Sequence, residues 1–182
     1  MPVTKQPPME TYQVRDEHGY WAATIAIRAW ECPRDERTGT LHAGEIIINS
    51  DYGTFATSWG NMGAPLKQFL CKINRGYLLN RLTEGKTEEF DIDASMTALK
   101  RDILKLRRDR EITSEEARDA MDDLPDEDST EEMYSRHIWN MDLYREGDPP
   151  YHLVKKRERP LIVHFYPNVW LPFIEHLKTE LS

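Results

Sequence analysis

The stretch EIIINSDYGTFATSW, residues 45–59, decides the fold. An apolar run, Glu45–Ser50, and a second run, Thr54–Trp59, flank the tripeptide Asp51-Tyr52-Gly53. Glycine there can take a positive φ, and aspartate can bond its own turn backbone, so the stretch reads as a hairpin. Phe55, Thr57 and Trp59 fall on one face of the outgoing strand by the two-residue period. Phe55 and Trp59 are expected to pack on the helix that follows. Tyr52 is an aromatic where the turn requires none. It is the one residue of the stretch expected to offer an exposed ring to a partner.

Upstream the same period holds. TYQVRD and YWAATIAIRAWE flank the turn EHG, with Gly19 in the bend. Trp21, Ala23, Ile25, Ile27 and Ala29 share the face expected to be core. CPRDERTGTLHAG reads as a polar loop before the central hairpin. The front half is thus an antiparallel sheet of about four strands.

From Gly63 the period becomes helical. APLKQFLCKI places Leu66, Phe69, Leu70 and Ile73 on one stripe, with Pro65 suited to the first turn. GYLLNRLTEG reads as a second short helix ending at Gly85, and TEEFDI as an edge strand. Asp93 is the expected cap of the next helix, whose stripe is Met96, Leu99, Ile103 and Leu106. Thr113 with Glu116, and Ser129 with Glu132, have the spacing of capping boxes, each opening a further helix. The first is expected to end near Leu124-Pro125. The second is expected to run to about Tyr144 with Tyr134, Ile138 and Met141 inward, broken by EGDPPY. RPLIVHFYP reads as a final buried strand, and NVWLPFIEHLKTELS as a terminal helix capped by Asn168. The fold class is α+β, an antiparallel sheet of four to five strands covered by helices, with a charged helical segment. Residues 1–10 read as a flexible arm carrying three prolines. Residues 11–182 read as one domain, with 93–147 a charged helical subdomain or insertion.

The 182 residues suit one domain of ordinary size, and 18 aromatics argue against wholesale disorder. A net charge of −8 disfavours nonspecific attraction to phosphate backbones and favours basic partners. Cys32 and Cys71 are too few for a disulfide framework, and Cys71 reads as a buried reduced thiol. No run approaches the roughly 18 apolar residues of a spanning helix, and the N-terminus lacks the apolar core of a secretory signal. The expected location is the cytoplasm of a bacterial host.

Motifs of common chemistry are missing. No two of the six histidines stand three or four residues apart, and neither cysteine belongs to a CxxC, so no zinc-ligand spacing is present. There is no GxSxG, no GxGxxG and no phosphate-binding Walker loop. No cofactor, metal or catalytic residue is assigned.

Charge is more informative. Lys100–Arg110 holds six basic residues, and Glu111–Glu132 holds eleven acidic ones against the single Arg118. The plain reading is two solvated helix faces that satisfy each other across a helical hairpin. The sharper reading makes Glu115, Glu116, Asp119, Asp122, Asp123, Asp126, Glu127 and Asp128 a partner-binding surface. Duplex DNA carries a phosphate about every 1.7 Å of its axis, and such a carboxylate row approximates that density. A third reading is direct nucleic-acid binding through Lys100–Arg110 or Lys155–Arg159. Each run is short for an acidic chain, so that reading ranks lower.

INSDYGTFATSWG followed by LKQFLCKINRGYLLNRL resembles small bacteriophage and prophage accessory proteins of unassigned function. The matching residues are Asp51, Tyr52, Gly53, Trp59, Gly60, Phe69, Leu70, Tyr77 and Leu82. EFDIDASMTALKRDILKLRRDREITSEEARDAMDDL continues the likeness, which spans Ile46–Leu124. The resemblance implies a phage origin and transfers no catalytic residue. The expectation that follows is a protein acting by binding a host protein, an acidic inhibitor of a nucleic-acid-handling or defence system such as CRISPR. The enzymatic alternative is a pocket at the hairpin built from Asp51 with Tyr52, Trp59 or Asn61.

Overall fold

The computed structural model describes residues 3–33, 40–144 and 150–182. The chain forms two compact units, Met1–Thr87 with Arg159–Ser182, and Glu88–Glu158.

The first unit holds strands β1 (Glu10–Arg15), β2 (Trp21–Pro33), β3 (Thr40–Ser50) and β4 (Gly53–Trp59) in one antiparallel sheet, ordered as in the sequence. The central hairpin pairs Ser50 with Gly53, and Gly53 sits at φ +123°, a conformation L side chains rarely adopt. The expected polar loop is shorter than its composition suggests. Pairing of β2 with β3 continues outward through Cys32 and Leu41 to Pro33 and Thr40. Backbone ladder bonds there satisfy groups that a loop would leave to water. The sheet is followed by α1 (Leu66–Leu70) and α2 (Arg75–Leu82).

The core of this unit joins one sheet face to helices. Ile25, Ile27, Ile46 and Ile48 are fully or almost fully buried, with Leu66, Leu70 and Leu78 from the helices. Burying each such side chain contributes about 1.5–3 kcal/mol relative to leaving it exposed. Trp59 packs edge-on to Phe69 of α1, as the period predicts. Phe55 instead meets Phe165, with ring centres 4.8 Å apart.

Phe165 belongs to the segment expected to be a last strand. That segment is helical. α6 (Pro160–Phe165), a π-helical turn (Tyr166–Trp170) and α7 (Leu171–Glu180) follow one another without a break. Pro160 fits the first turn, and Ile162, Phe165, Val169, Phe173 and Leu177 are buried at three- and four-residue spacing. Asn168 therefore lies within the helical run and caps nothing; its side chain donates to the Tyr52 hydroxyl.

The second unit opens and closes on a two-stranded antiparallel ribbon, β5 (Glu88–Phe90) with β6 (Lys156–Glu158). TEEFDI thus gives a strand, but one paired with β6 and not with the four-stranded sheet. Between the two come α3 (Ile92–Asp109), α4 (Ser114–Asp122) and α5 (Glu131–Asn140). Asp91, not Asp93, caps α3, because the helix starts two residues earlier and Asp91 accepts from the Ala94 N–H. The Thr113–Glu116 capping box is formed in both directions. Thr130 caps α5, while the expected cap Ser129 is buried beside it. Tyr134, Ile138 and Met141 face inward with Leu99 and Ile103, and the Tyr134 hydroxyl donates to the Ser95 carbonyl at 2.9 Å. Burial pushes the Tyr134 phenol up to about 12. α5 ends at Asn140, short of Tyr144; the break expected at EGDPPY falls largely outside the described residues.

Candidate functional site

Thr113 and Glu116 fix where α4 begins, and that start sets which carboxylates point where. Ala117 and Ala120 face the core, leaving Glu115, Glu116, Asp119 and Asp122 exposed. Asp123 ends the helix, and Asp126, Glu127 and Asp128 are exposed in the connection to α5. His137 of α5 secures that connection. Its Nε2 lies 2.7 Å from the Asp123 carbonyl oxygen and 3.4 Å from Asp123 Oδ1.

The eight predicted carboxylates do not form one row. Glu116, Asp119 and Asp123 line a cleft of about 620 Å³, together with Asp142. Its apolar lining is Ile112, Ala120, Met141 and Leu143. Glu115, Asp122, Asp126, Glu127 and Asp128 lie outside it. The Glu116 carboxylate accepts from the Thr113 N–H at 2.6 Å, and that backbone bond holds it below the usual carboxylate range. An anionic rim around an apolar floor suits a cationic group carried on an apolar stem. Asp142 and Leu143 went unmarked in the sequence, and Met141 was read only as a core residue, since only the tertiary fold carries residues 141–143 to α4.

Mutual neutralisation of the two charged runs is not what the side chains do. Among the described residues no ion pair joins Lys100–Arg110 to Glu111–Glu132. Arg107 donates to the Ser114 hydroxyl, at 2.6 and 3.0 Å, and Lys105 lies 3.9 Å from Asp109 of its own helix. Glu132 pairs with Arg136 and Glu131 with Lys156, both from outside the basic run.

Tyr52 belongs to the first unit. It is half-buried rather than an open ring: its hydroxyl accepts from Asn168 Nδ2 at 3.0 Å, and the ring stacks on His164 at 6.4 Å. The hairpin residues weighed for catalysis do not converge. Tyr52 precedes β4 and Trp59 ends it, so about 20 Å of extended strand separates them. Trp59 is buried and donates to the Tyr77 hydroxyl, Asp51 is exposed, and Asn61 accepts from the Gly63 N–H.

Cys71 is a free, half-buried thiol whose ionisation burial disfavours. Among the described residues no group of three His, Cys, Asp or Glu is placed to hold a metal ion, and no helix is long and apolar enough to cross a membrane.

No curated protein and no solved structure matches this chain. A family model does, over residues 3–178, well beyond the Ile46–Leu124 likeness seen in the sequence. The chain therefore belongs to a phage protein family, Phage_phiTE_072, described as Phage family.

Proposed function

We propose that this phage-family protein acts by binding a partner protein, and that the cleft beside α4 receives a basic segment of that partner. The observation that carries the reading is the pairing of four carboxylates, Glu116, Asp119, Asp123 and Asp142, with an apolar floor. A lysine or arginine entering there places its methylenes on Ile112, Met141 and Leu143 and its charge at the rim. Side chains of that kind are abundant on proteins that hold nucleic acid. A host nucleic-acid-handling or defence protein, a CRISPR effector included, fits the phage family and the net charge of −8. The carboxylates would then occupy the partner where phosphates otherwise sit, and would speed the encounter electrostatically.

The test is affinity capture from bacterial lysate with quantitative mass spectrometry on three baits. These are the parent chain, the cleft variant Glu116→Gln/Asp119→Asn/Asp123→Asn, and the control Asp122→Asn/Asp126→Asn/Asp128→Asn. Gln at 116 preserves the capping box. A partner held by the parent and the control, and at least tenfold depleted on the cleft variant, is expected. Equal recovery on all three baits overturns the assignment of the cleft.

A further inference from the structure

The two basic runs discounted in the sequence for their shortness meet in the second unit. Arg101 of α3 and Lys155 line both of two clefts. One, of about 630 Å³, also takes in Lys156 and Arg157; the other, of about 290 Å³, takes in Lys105 and His152. Some of this charge is already answered. Lys156 pairs with Glu131 and Arg157 with Glu89. Lys105 lies 3.9 Å from Asp109. Of the acids in the two clefts, Asp91 caps α3, and Asp102 accepts from the Tyr144 hydroxyl and lies 3.8 Å from His152. Asp93 lines the larger cleft with no ion pair among the described residues, and cations outnumber acids in that cleft by four to two. The exposed side chains of Arg101 and Lys155 have no ion pair among the described residues. Arg101 and Lys105 stand one helical turn apart, about 6 Å along the axis.

We infer that this groove binds the phosphodiester backbone of a single-stranded nucleic acid. Cations without protein partners release counterions when they meet phosphates, which is the main driving term for such binding. Single strands rather than duplexes are indicated by an exposed ring pair, Trp139 of α5 with Tyr151, whose helical turn also carries His152 and Leu153 of the smaller cleft. Tyr151 is 65% exposed and Trp139 is 43% exposed, with the two rings edge-to-face at 5.6 Å. Tyr151 precedes Lys155 by four residues, so at most about 14 Å of chain separates them. Exposed rings beside a cationic groove stack on unpaired bases, whose faces a duplex hides. The groove is distinct from the acidic cleft, and neither reading depends on the other.

The test titrates fluorescein-labelled dT15 and rU15 with the full chain, followed by anisotropy. Binding is expected at 50 mM salt, weakening about fifty-fold by 200 mM for four phosphate contacts. Arg101→Gln/Lys155→Gln weakens it at least tenfold at 50 mM and lowers the log–log salt slope by about 1.4. Trp139→Leu weakens it about fivefold or more without changing that slope. If the double variant loses its circular dichroism spectrum, Arg101→Gln and Lys155→Gln are read singly. The inference is overturned by no binding at 50 mM, by binding that ignores Arg101 and Lys155, or by equal loss from Lys100→Gln. Polyglutamate competing as well as an oligonucleotide, or duplex binding as tightly as single strand, overturns it too.

Discussion

Replacing Ser95 by alanine sets two magnitudes of opposite sign against each other. Ser95 lies in the first turns of α3, where alanine is the better helix former by about 0.5 kcal/mol. Propensity alone therefore predicts a small gain. The structure predicts a loss. Ser95 is fully buried, and its hydroxyl oxygen accepts from the Lys155 backbone N–H at 2.8 Å. Alanine leaves that donor without its partner, at a cost of about 1–3 kcal/mol. The difference is a net loss of about 0.5–2.5 kcal/mol. The Tyr134 bond to the Ser95 carbonyl is a backbone contact and survives the change. Urea unfolding measures the energy, and native-state hydrogen exchange at the Lys155 amide reports the mechanism. A variant as stable as the parent, or a Lys155 amide still fully protected, refutes the reasoning.

Four further outcomes follow from local geometry. A Cβ added at Gly44 would lie 3.0 Å from the Arg28 carbonyl oxygen and 3.0 Å from Leu66 Cδ2, so Gly44→Ala should cost about 1–3 kcal/mol in thermal unfolding. Gly60→Ala, with nothing within 4 Å, should stay within about 0.5 kcal/mol. Lys67 Nζ lies 2.7 Å from Glu10 and 2.9 Å from Glu180, and these bonds hold both carboxyls below their ordinary value of 4.5. Their contribution is present above about pH 4.5 and is lost as pH falls through the lower folded values. Lys67→Met should therefore flatten the acid limb of Tm against pH, and an unchanged limb would count against the linkage. Tyr52→Phe removes one hydrogen bond at a half-buried site and should change stability by less than about 1.5 kcal/mol, leaving partner capture intact.

The four-stranded sheet was legible because the centres of its strands alternate and Gly19 and Gly53 mark two of its turns. The alternation fails at the ends of β2, where Trp21 and Ala29, expected in the core, are exposed and Ala22 is buried. Ile25, Ile27, Ile46 and Ile48 are buried as the two-residue period demands. α3 and the Thr113 box were legible for the matching reason at helical period. RPLIVHFYP misled because it is rich in β-branched and aromatic residues, and short apolar runs of that kind do not distinguish a buried strand from a helix. Reading on to Leu177 exposes the three- and four-residue spacing that settles it. The partner of β5 was out of reach, since Glu89 and Arg157 meet across 68 residues. The acidic run was plain in the sequence, but its division was not. Which carboxylates rim a cleft depends on where residues 141–143 come to rest, and no local pattern encodes that.

Hydrogen–deuterium exchange on the chain with and without its captured partner tests the central claim most directly. Protection should rise in Ser114–Asp122 and Asp142–Tyr144, the two segments that form the acidic cleft. Protection confined to β1–β4, with exchange in Ser114–Asp122 unchanged, would contradict it.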